Sequence, residues 1–226
     1  MKRLIALCLI FLSAIAPAQE SKLMRIVDTL ADLALRNPDP NELIAVENGS
    51  ATNLWPEPLY FRFLSNSSAT PYYPYVQMSA KPTGRYVSDA ARKSRQNILY
   101  WGAIPGDNFS DLAAVSNAIM YGSKARTVYI PEADGHYVFD GPIPLREGVT
   151  VQGDNWDTVL EVRHNGNGFQ YLGLVPGGLP RIYNVKLKDF RMTTGVGFSP
   201  SNAFHLVDVS DSRFRNINIT AGSGGG

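Results

Sequence analysis

Two aspartates near the C-terminal end of the sequence have the residue type and spacing for acid–base chemistry. Asp208 and Asp211 stand three positions apart, directly after an apolar run at 204–207. Two carboxylates that converge on one reacting bond act as general acid and general base. Aspartate is also a common turn residue, because its side chain bonds to nearby backbone groups. The position after a predicted strand favours the turn interpretation over an acid cluster.

Histidine and arginine supply the other candidate polar groups. Arg163 and His164 are adjacent, and such a pair suits an anionic carboxylate ligand. The alternative, which the context favours, is an exposed pair in a loop. His205 lies between two apolar residues of a predicted strand, so the alternation of side chains directs it outward. The sequence therefore assigns no catalytic residue and no substrate-binding residue.

The run Tyr72-Tyr73-Pro74-Tyr75 concentrates aromatic rings in one short segment. Exposed rings of this kind stack on sugars, since tyrosine combines an apolar face with a polar hydroxyl. A proline-containing edge strand accounts for the same residues equally well. Both interpretations stay open at this point.

Metal and nucleotide motifs are absent from the sequence. It has no paired-cysteine site, no His-Glu-x-x-His and no phosphate-binding glycine loop. We therefore predict no metal site and no cofactor in this segment. The formal net charge is +1 at pH 7 and no continuous basic run occurs, so nucleic acid is not a predicted partner.

The first 18 residues are typical of a secretory signal peptide. Lys2 and Arg3 precede an apolar run at 4–16, and Ala16-Pro17-Ala18 provides small residues for cleavage before Gln19. The run is shorter than the roughly 20 residues that span a bilayer. We expect a secreted or periplasmic bacterial protein with no membrane association after cleavage. Cys8 is the single cysteine, so the mature chain is expected to contain no disulfide.

Residues 19–96 are predicted to form a small β-rich head domain and a linker. An amphipathic helix is expected from Ser21 to Leu35, because apolar residues recur there at helical spacing. Strands are expected at Leu43–Val46, Leu59–Leu64 and Tyr72–Met78, separated by turn-rich segments. The polar residues 88–96 then form the linker.

The remaining residues, 97–226, alternate short apolar runs with turns. A strand is expected at Ile98–Trp101, followed by a helix that Ser110 caps and Asp111 stabilises through the helix dipole. Leu112, Val115 and Ile119 fall on one face of this helix and are expected to cover the interior of the following strands. Those strands are predicted at Thr127–Ile130, Tyr137–Phe139, Val149–Gln152, Val159–Val162, Phe169–Leu172, Val185–Leu187, Phe204–Val207 and Phe214–Ile219.

Two of these segments align as copies of each other. Residues 185–192 match residues 212–219 at an offset of 27 positions, within the range typical of stacked repeats. Leu187 corresponds to Phe214, and Asp189 corresponds to Asn216. An Asp or Asn between two apolar runs suits a sharp bend, because these residues tolerate the left-handed conformation. We expect Leu187 and Phe214 to stack inside one coil.

The segment from Leu99 to Val115 resembles the opening of pectate-lyase-superfamily β-helices. There a strand ending in Phe-Gly-Ala is followed by Gly-Asp-Gly and a short alanine-rich helix, which Trp101-Gly102-Ala103 and Gly106-Asp107-Asn108 approximate. Residues 148–153, Gly-Val-Thr-Val-Gln-Gly, are close to a later turn of the same family. A Pro-Thr-Gly-Arg turn such as the one at 82–85 precedes similar β-helices in phage tailspikes and secreted bacterial proteins.

The resemblance implies a mainly β fold, a right-handed single-stranded parallel β-helix preceded by the head. It implies a secreted polysaccharide lyase or glycoside hydrolase that acts on an acidic or deoxy-sugar polysaccharide. The alternative is a non-enzymatic β-helical adhesin or tailspike-derived binding module, which would be a homotrimer if tailspike-like. Ca²⁺ would belong to the full-length protein if it is a lyase. We expect residues 97–226 to be the start of a truncated β-helix, and this polypeptide alone to be inactive.

Overall fold

The computed structural model describes residues 24–37, 39, 42–67, 74–77, 79–80, 84–88, 95–120, 126–172 and 181–220. The protein is mainly β, as predicted. Its helices are α1 (Leu30–Leu35), α2 (Leu112–Met120) and a 3₁₀ helix at Ile98–Trp101. Its strands are β1 (Met24–Thr29), β2 (Leu43–Asn48), β3 (Leu54–Leu64), β4 (Val76–Gln77), β5 (Arg85–Ser88), β6 (Arg95–Asn97), β7 (Thr127–Ile130), β8 (Tyr137–Phe139), β9 (Ile143–Pro144), β10 (Thr150–Gly153), β11 (Val159–Val162), β12 (Asn167–Leu172), β13 (Ile182–Tyr183), β14 (Lys186–Thr194), β15 (Asn202–Val207), β16 (Val209–Ser210) and β17 (Arg213–Thr220).

The head contains one five-stranded sheet with the order β1-β2-β3-β5-β4. The helix predicted at Ser21–Leu35 is wrong for residues 24–29, which pair as a parallel strand with β2. Tertiary pairing here overrides helical periodicity. The helix is confirmed at Leu30–Leu35, where Thr29 caps it with a reciprocal bond to Asp32, and residues 21–23 lie outside the described residues.

The predicted strand at Ile98–Trp101 is also wrong, since these residues form the 3₁₀ helix. Asn97 accepts a bond from the Leu99 N–H at its N-terminus, and Gly102 ends it with a φ of 97°. In a 3₁₀ helix, side chains three positions apart lie on the same side. Ile98 and Trp101 are both buried on that side, which explains why an apolar run of this length is not extended. Residues 89–94 of the predicted linker lie outside the described residues, and Arg95–Asn97 form β6.

The apolar face predicted for α2 is confirmed. Val115 and Ile119 are fully buried, and Leu112 is partly buried against the same core. The helix contacts the 3₁₀ helix, β7 and β9. It therefore covers apolar side chains at the start of the strands that follow.

The second half of the chain forms parallel sheets. The largest has the order β6-β7-β10-β14-β11-β8, and β17 pairs with β14. Each predicted strand after residue 126 is confirmed within a few residues, although β14 extends well beyond the predicted Val185–Leu187. Strands β12, β15 and β9 form a smaller parallel sheet, and β13 pairs with β16. No helix among the described residues is long and apolar enough to cross a membrane.

The predicted repeat is confirmed by the register of β14 and β17. Leu187 pairs with Phe214. Asp189 and Asn216 have positive φ of 62° and 51°, and Asn216 Nδ2 donates to Asp189 Oδ1 at 2.9 Å. Leu187 is fully buried, whereas Phe214 is 46% exposed and packs against the ring of Phe204 at 5.6 Å. The expected pairing of the two residues is confirmed, but Phe214 is not enclosed as predicted, because it lies on the less covered strand.

Gly153, the last residue of the 148–153 turn, has no room for a side chain. A Cβ at this position would lie 2.2 Å from the carbonyl oxygen of Asp189. The backbone bend at Asp189 approaches β10 this closely only because residue 153 has no side chain.

Candidate ligand-binding surface

One face of the large sheet is apolar and the other carries polar and basic side chains. Val128, Val151 and Leu187 are fully buried on the core side of β7, β10 and β14. Because side chains alternate along a strand, their neighbours point to the opposite face. We call this opposite face the cationic face: Arg95, Asn97, Thr127, Tyr129, Thr150, Gln152, Lys186, Lys188, Arg213 and Arg215.

The register of the strands aligns these residues in two rows. One row pairs each residue with the next in the order Arg95, Thr127, Thr150, Lys186, Arg213. The other runs through Asn97, Tyr129, Gln152, Lys188, Arg215. Neighbouring strands are about 4.8 Å apart, so each row spans five strands. A groove of 660 Å³ follows these rows, with Ser212 and Phe214 on its border.

Three of the four basic groups at the β14–β17 end of this face have no ion pair with a described acidic side chain, and the fourth has one long contact. Lys186, Arg213 and Arg215 have no ion pair within the described residues, and Lys188 Nζ lies 3.7 Å from Asp189 Oδ2. Two like charges about 5 Å apart repel by about 1 kcal/mol even in bulk water. An anion on this surface would relieve that repulsion.

Both rows are neutral on β7 and β10, and the first row becomes basic again at β6, where Arg95 lies. Thr127, Thr150 and Gln152 offer hydroxyl and amide groups there. The Arg95 guanidinium lies 3.6 Å from the centroid of the Tyr129 ring, a cation–π contact. Burial and a bond to Asp154 raise the pKa of Tyr129 to about 12, so its hydroxyl is a donor at neutral pH.

A second charged region lies beyond the Asp189 bend, around Glu161 of β11. Arg163 Nε donates to Glu161 Oε1 at 2.8 Å, and His136 Nδ1 lies 3.0 Å from Glu161 Oε2. Arg163 Nη2 also donates to Asn108 Oδ1 at 3.1 Å. We call Asn108, His136, Glu161 and Arg163 the paired-charge cluster. The bond from Arg163 lowers the pKa of Glu161, so its carboxylate stays ionised and bound to protein groups.

Asp111 joins the loop before α2 to β8. Its carboxylate accepts bonds from the Ile104 N–H at 2.8 Å and the Val138 N–H at 2.9 Å. Its carbonyl accepts the first helical bond, from Val115 N at 3.1 Å. Asp111 therefore occupies the N-cap position predicted for Ser110, and its side chain bonds to neighbouring segments. Burial raises the pKa of Asp111 to about 6, although both N–H donors oppose the shift.

The predicted aspartate pair has the features of turn residues. Asp208 and Asp211 have positive φ of 60° and 51°, the conformation in which Asp is tolerated at bends. Asp208 Oδ1 also accepts from Arg181 Nη2 at 3.1 Å. These observations agree with the turn interpretation.

The predicted histidines are bonded locally. His164 Nδ1 accepts from the Gly166 N–H at 3.0 Å, and Arg163 belongs to the paired-charge cluster, so they do not form a free cationic pair. His205 Nδ1 lies 3.0 Å from Asn167 Nδ2. On the neighbouring strand β12, His205 pairs in register with Gln170. This agrees with an outward position on the strand.

Only part of the predicted tyrosine segment is described. Tyr72 and Tyr73 lie outside the described residues. Tyr75 is 2% exposed and packs edge-on against Trp101, with ring centroids 5.5 Å apart. The interpretation that Tyr75 stacks on a sugar at the protein surface is therefore wrong, because its ring is buried in the contact between the head and the 3₁₀ helix.

Sequence reasoning missed the cationic face because its basic residues are far apart in the chain. The signal that identifies them is the repeat itself. Lys186 aligns with Arg213, and Lys188 aligns with Arg215, so both copies carry basic residues at alternate positions of a strand. When the two copies are aligned, their outward-facing positions form rows, and these rows identify the cationic face. In the part of the chain that the structure describes, no group of three or more His, Cys, Asp or Glu side chains is arranged to hold a metal ion.

Comparisons with known proteins show a structural similarity to a viral protein. No protein-family profile matches the sequence, and no curated protein matches it. A solved structure of ORF18 from Geobacillus virus E2 is 16% identical, with a TM-score of 0.45. The match covers 85% of this chain and 38% of that chain, so this chain spans well under half of the viral protein.

Proposed function

We propose that this chain is a secreted polysaccharide-recognising protein of the pectate-lyase-like superfamily, and that its cationic face binds an acidic polysaccharide. The observation that carries the proposal is the stacking of Lys186 and Lys188 on Arg213 and Arg215. These four cations form a square patch with one weak described carboxylate contact, at Lys188. A polymer with a carboxylate on each sugar supplies anions in a row.

We further propose that the parallel strands form a right-handed parallel β-helix. The support is the recurrence of register from β6 through β7, β10 and β14 to β17, together with a left-handed bend at Asp189 that recurs at Asn216. Stacking of like positions is what converts alternate basic residues into rows. The fold and the binding surface thus depend on the same repeat.

An acidic polysaccharide fits the face better than nucleic acid. The middle of the two rows carries Thr127, Thr150 and Gln152, which suit sugar hydroxyls more than a continuous line of phosphates. The signal-peptide pattern at 1–18 also favours a ligand met outside the cytoplasm. Nucleic acid is therefore an outcome that the binding test must distinguish.

The proposal gives the described residues a role in binding. In the superfamily, lyases remove a proton with a basic side chain and hydrolases use two carboxylates. The cationic face offers bases but pairs no two carboxylates across the groove among the described residues. This arrangement favours the binding-module alternative for the described portion, whether or not the whole protein cleaves its ligand.

The test is a titration with polygalacturonate, with the same polymer fully methyl-esterified and with single-stranded DNA, at low and high salt. We expect binding to polygalacturonate that weakens with salt, since exposed charges are screened, and much weaker binding to the ester. Equal affinity for both polymers would contradict the proposal, and tighter binding to DNA would replace polysaccharide by nucleic acid. Reducing ends and unsaturated products, measured in the same samples, should not appear.

A further inference from the structure

A cleft of 520 Å³ lies between β3 of the head and the first two strands of the large sheet. One wall comes from β3 and the other from β6, the 3₁₀ helix and β7. Its volume is within the range of about 300–1,000 Å³ typical of small-ligand sites. Its lining includes Glu57, Tyr60, Arg95, Asn97, Tyr100 and Tyr129.

Aromatic rings form much of the wall. Tyr100 is half-buried and held edge-on by Trp55, with ring centroids 5.7 Å apart. Tyr60 is 42% exposed on β3, and Tyr129 lies beneath Arg95. Burial and the nearby carboxylate of Glu57 raise the pKa of Tyr100, so its hydroxyl remains a donor. The cleft thus combines ring faces, hydroxyls, one carboxylate and one guanidinium.

The cleft is continuous with the cationic face. Arg95 and Asn97 are the first residues of the two rows, and Tyr129 follows Asn97 in the second row. A polymer lying along the rows towards β6 therefore reaches the cleft, where β3 of the head stands across its path. The head contributes Glu57 and Tyr60 at that point, and neither residue belongs to the repeated strands.

We propose that this cleft binds the terminal sugar of the acidic polysaccharide. The rings of Tyr60 and Tyr100 pack against the apolar C–H face of the sugar, as aromatic side chains do with partly apolar ligands. Arg95 binds the terminal carboxylate, and Glu57 accepts bonds from sugar hydroxyls. The inference rests on the proposed function, and it gives the head a role in recognising a chain end.

The test compares trigalacturonate with long polygalacturonate, using Tyr60→Ala and Glu57→Ala. Both side chains are exposed, so we expect folding to be retained. Each variant should bind trigalacturonate about tenfold more weakly, while affinity for the polymer, measured per chain, should change less than twofold. Tyr183→Ala is the matched control, because Tyr183 is similarly exposed at 39% on a different strand pair.

The outcomes separate this inference from the proposed function. If Lys186→Ala weakens binding of the polymer but neither cleft variant affects trigalacturonate, the cleft inference fails and the proposed function stands. If the unmodified protein binds neither ligand, the proposed function fails first. Glu57→Ala keeps the inference testable if Tyr60→Ala lowers the melting temperature.

Discussion

The cationic face and the paired-charge cluster are neighbouring regions that use charge in opposite ways. Strand β14 borders both: Lys186 and Lys188 precede the bend at Asp189, and the residues after it pair with β11, which carries Glu161. Before the bend, described cations stack on cations. After it, Glu161 holds Arg163 and His136 by direct contacts.

This difference distinguishes charges that stabilise the fold from charges available to a ligand. A carboxylate between two basic groups satisfies its bonds inside the protein, and removing it leaves those groups unpaired. Stacked cations gain nothing from one another and are expected to cost stability. Substitutions in the paired-charge cluster should therefore change stability, and substitutions in the cationic face should change binding.

The largest expected effect is on stability and comes from Asp111, which ties the loop beside the paired-charge cluster to β8. Asp111→Ala leaves the Ile104 and Val138 N–H groups without their acceptor, at about 3 kcal/mol of unfolding free energy. Urea unfolding measures this loss, and polygalacturonate affinity should be unchanged. Asp107→Ala is the control, since Asp107 is only partly buried and accepts one local bond, from the Phe109 N–H; its loss should stay below about 1 kcal/mol. Equal losses of unfolding free energy in the two variants would contradict the role of Asp111 in joining the loop to β8.

The next effect is on binding and comes from the cationic face. Lys186→Ala combined with Arg213→Ala removes two stacked cations, each contributing about 1 kcal/mol to an exposed ionic contact, so polygalacturonate should bind about 30-fold more weakly. Unfolding free energy should not fall, because repulsion is removed with the charges. Arg191→Ala is the matched control: Arg191 lies on the same strand, past the bend, and pairs with Val159 of β11. A similar loss in the control would show that net charge, and not position, decides binding.

The smallest effect is the pH-dependent contribution of Glu161. Its pKa is lowered in the folded state, chiefly by Arg163. The stabilisation is therefore complete above the ordinary carboxyl pKa and is lost as pH falls through the lowered value. Glu161→Gln should cost about 1 kcal/mol at pH 7 and nothing in strong acid. Glu132→Gln, which alters an exposed carboxylate bonded to Asn155, should show no such pH dependence.

The pH dependence of the stability that Asp111 contributes should have the opposite sign to that of Glu161. Burial raises the folded-state pKa of Asp111 from 3.8 to about 6, so the folded state binds the proton more tightly than the unfolded state. The pH-dependent part of its contribution to stability is therefore lost as pH rises from about 4 to about 6, while its carboxylate still accepts the bonds from the Ile104 and Val138 N–H groups. The unmodified protein should show this decline in urea unfolding, and Asp111→Ala should lack it.

Much of the parallel region was predictable because its local patterns and its long-range pairing agree. The repeat of residues 185–192 at 212–219 gave the register of β14 and β17, and the Asp189 and Asn216 bends followed from residue type. The head was less predictable. Residues 24–29 have helical periodicity but pair as a strand with β2, and Ile98–Trp101 forms a 3₁₀ helix because both end residues must be buried on one side.

The binding surface was not predicted because it exists only after the strands stack. Lys186 and Arg213 are unremarkable as single residues in the sequence, and they become a patch through register. The cleft depends on a second long-range relation, the position of β3 beside Arg95 and Tyr129. Neither short motifs nor composition encode these contacts, whereas alternation combined with the repeat encodes the first of them.

The most direct test of the account is a map of ligand contacts by NMR. Backbone amide shifts of the isotope-labelled protein would be followed during titration with a long oligogalacturonate. We predict the largest changes at Lys186, Lys188, Arg213 and Arg215, and small changes at Glu161 and Arg163. Changes centred on the paired-charge cluster, or none at saturating ligand, would contradict the claim that the stacked cations of β14 and β17 form the binding surface.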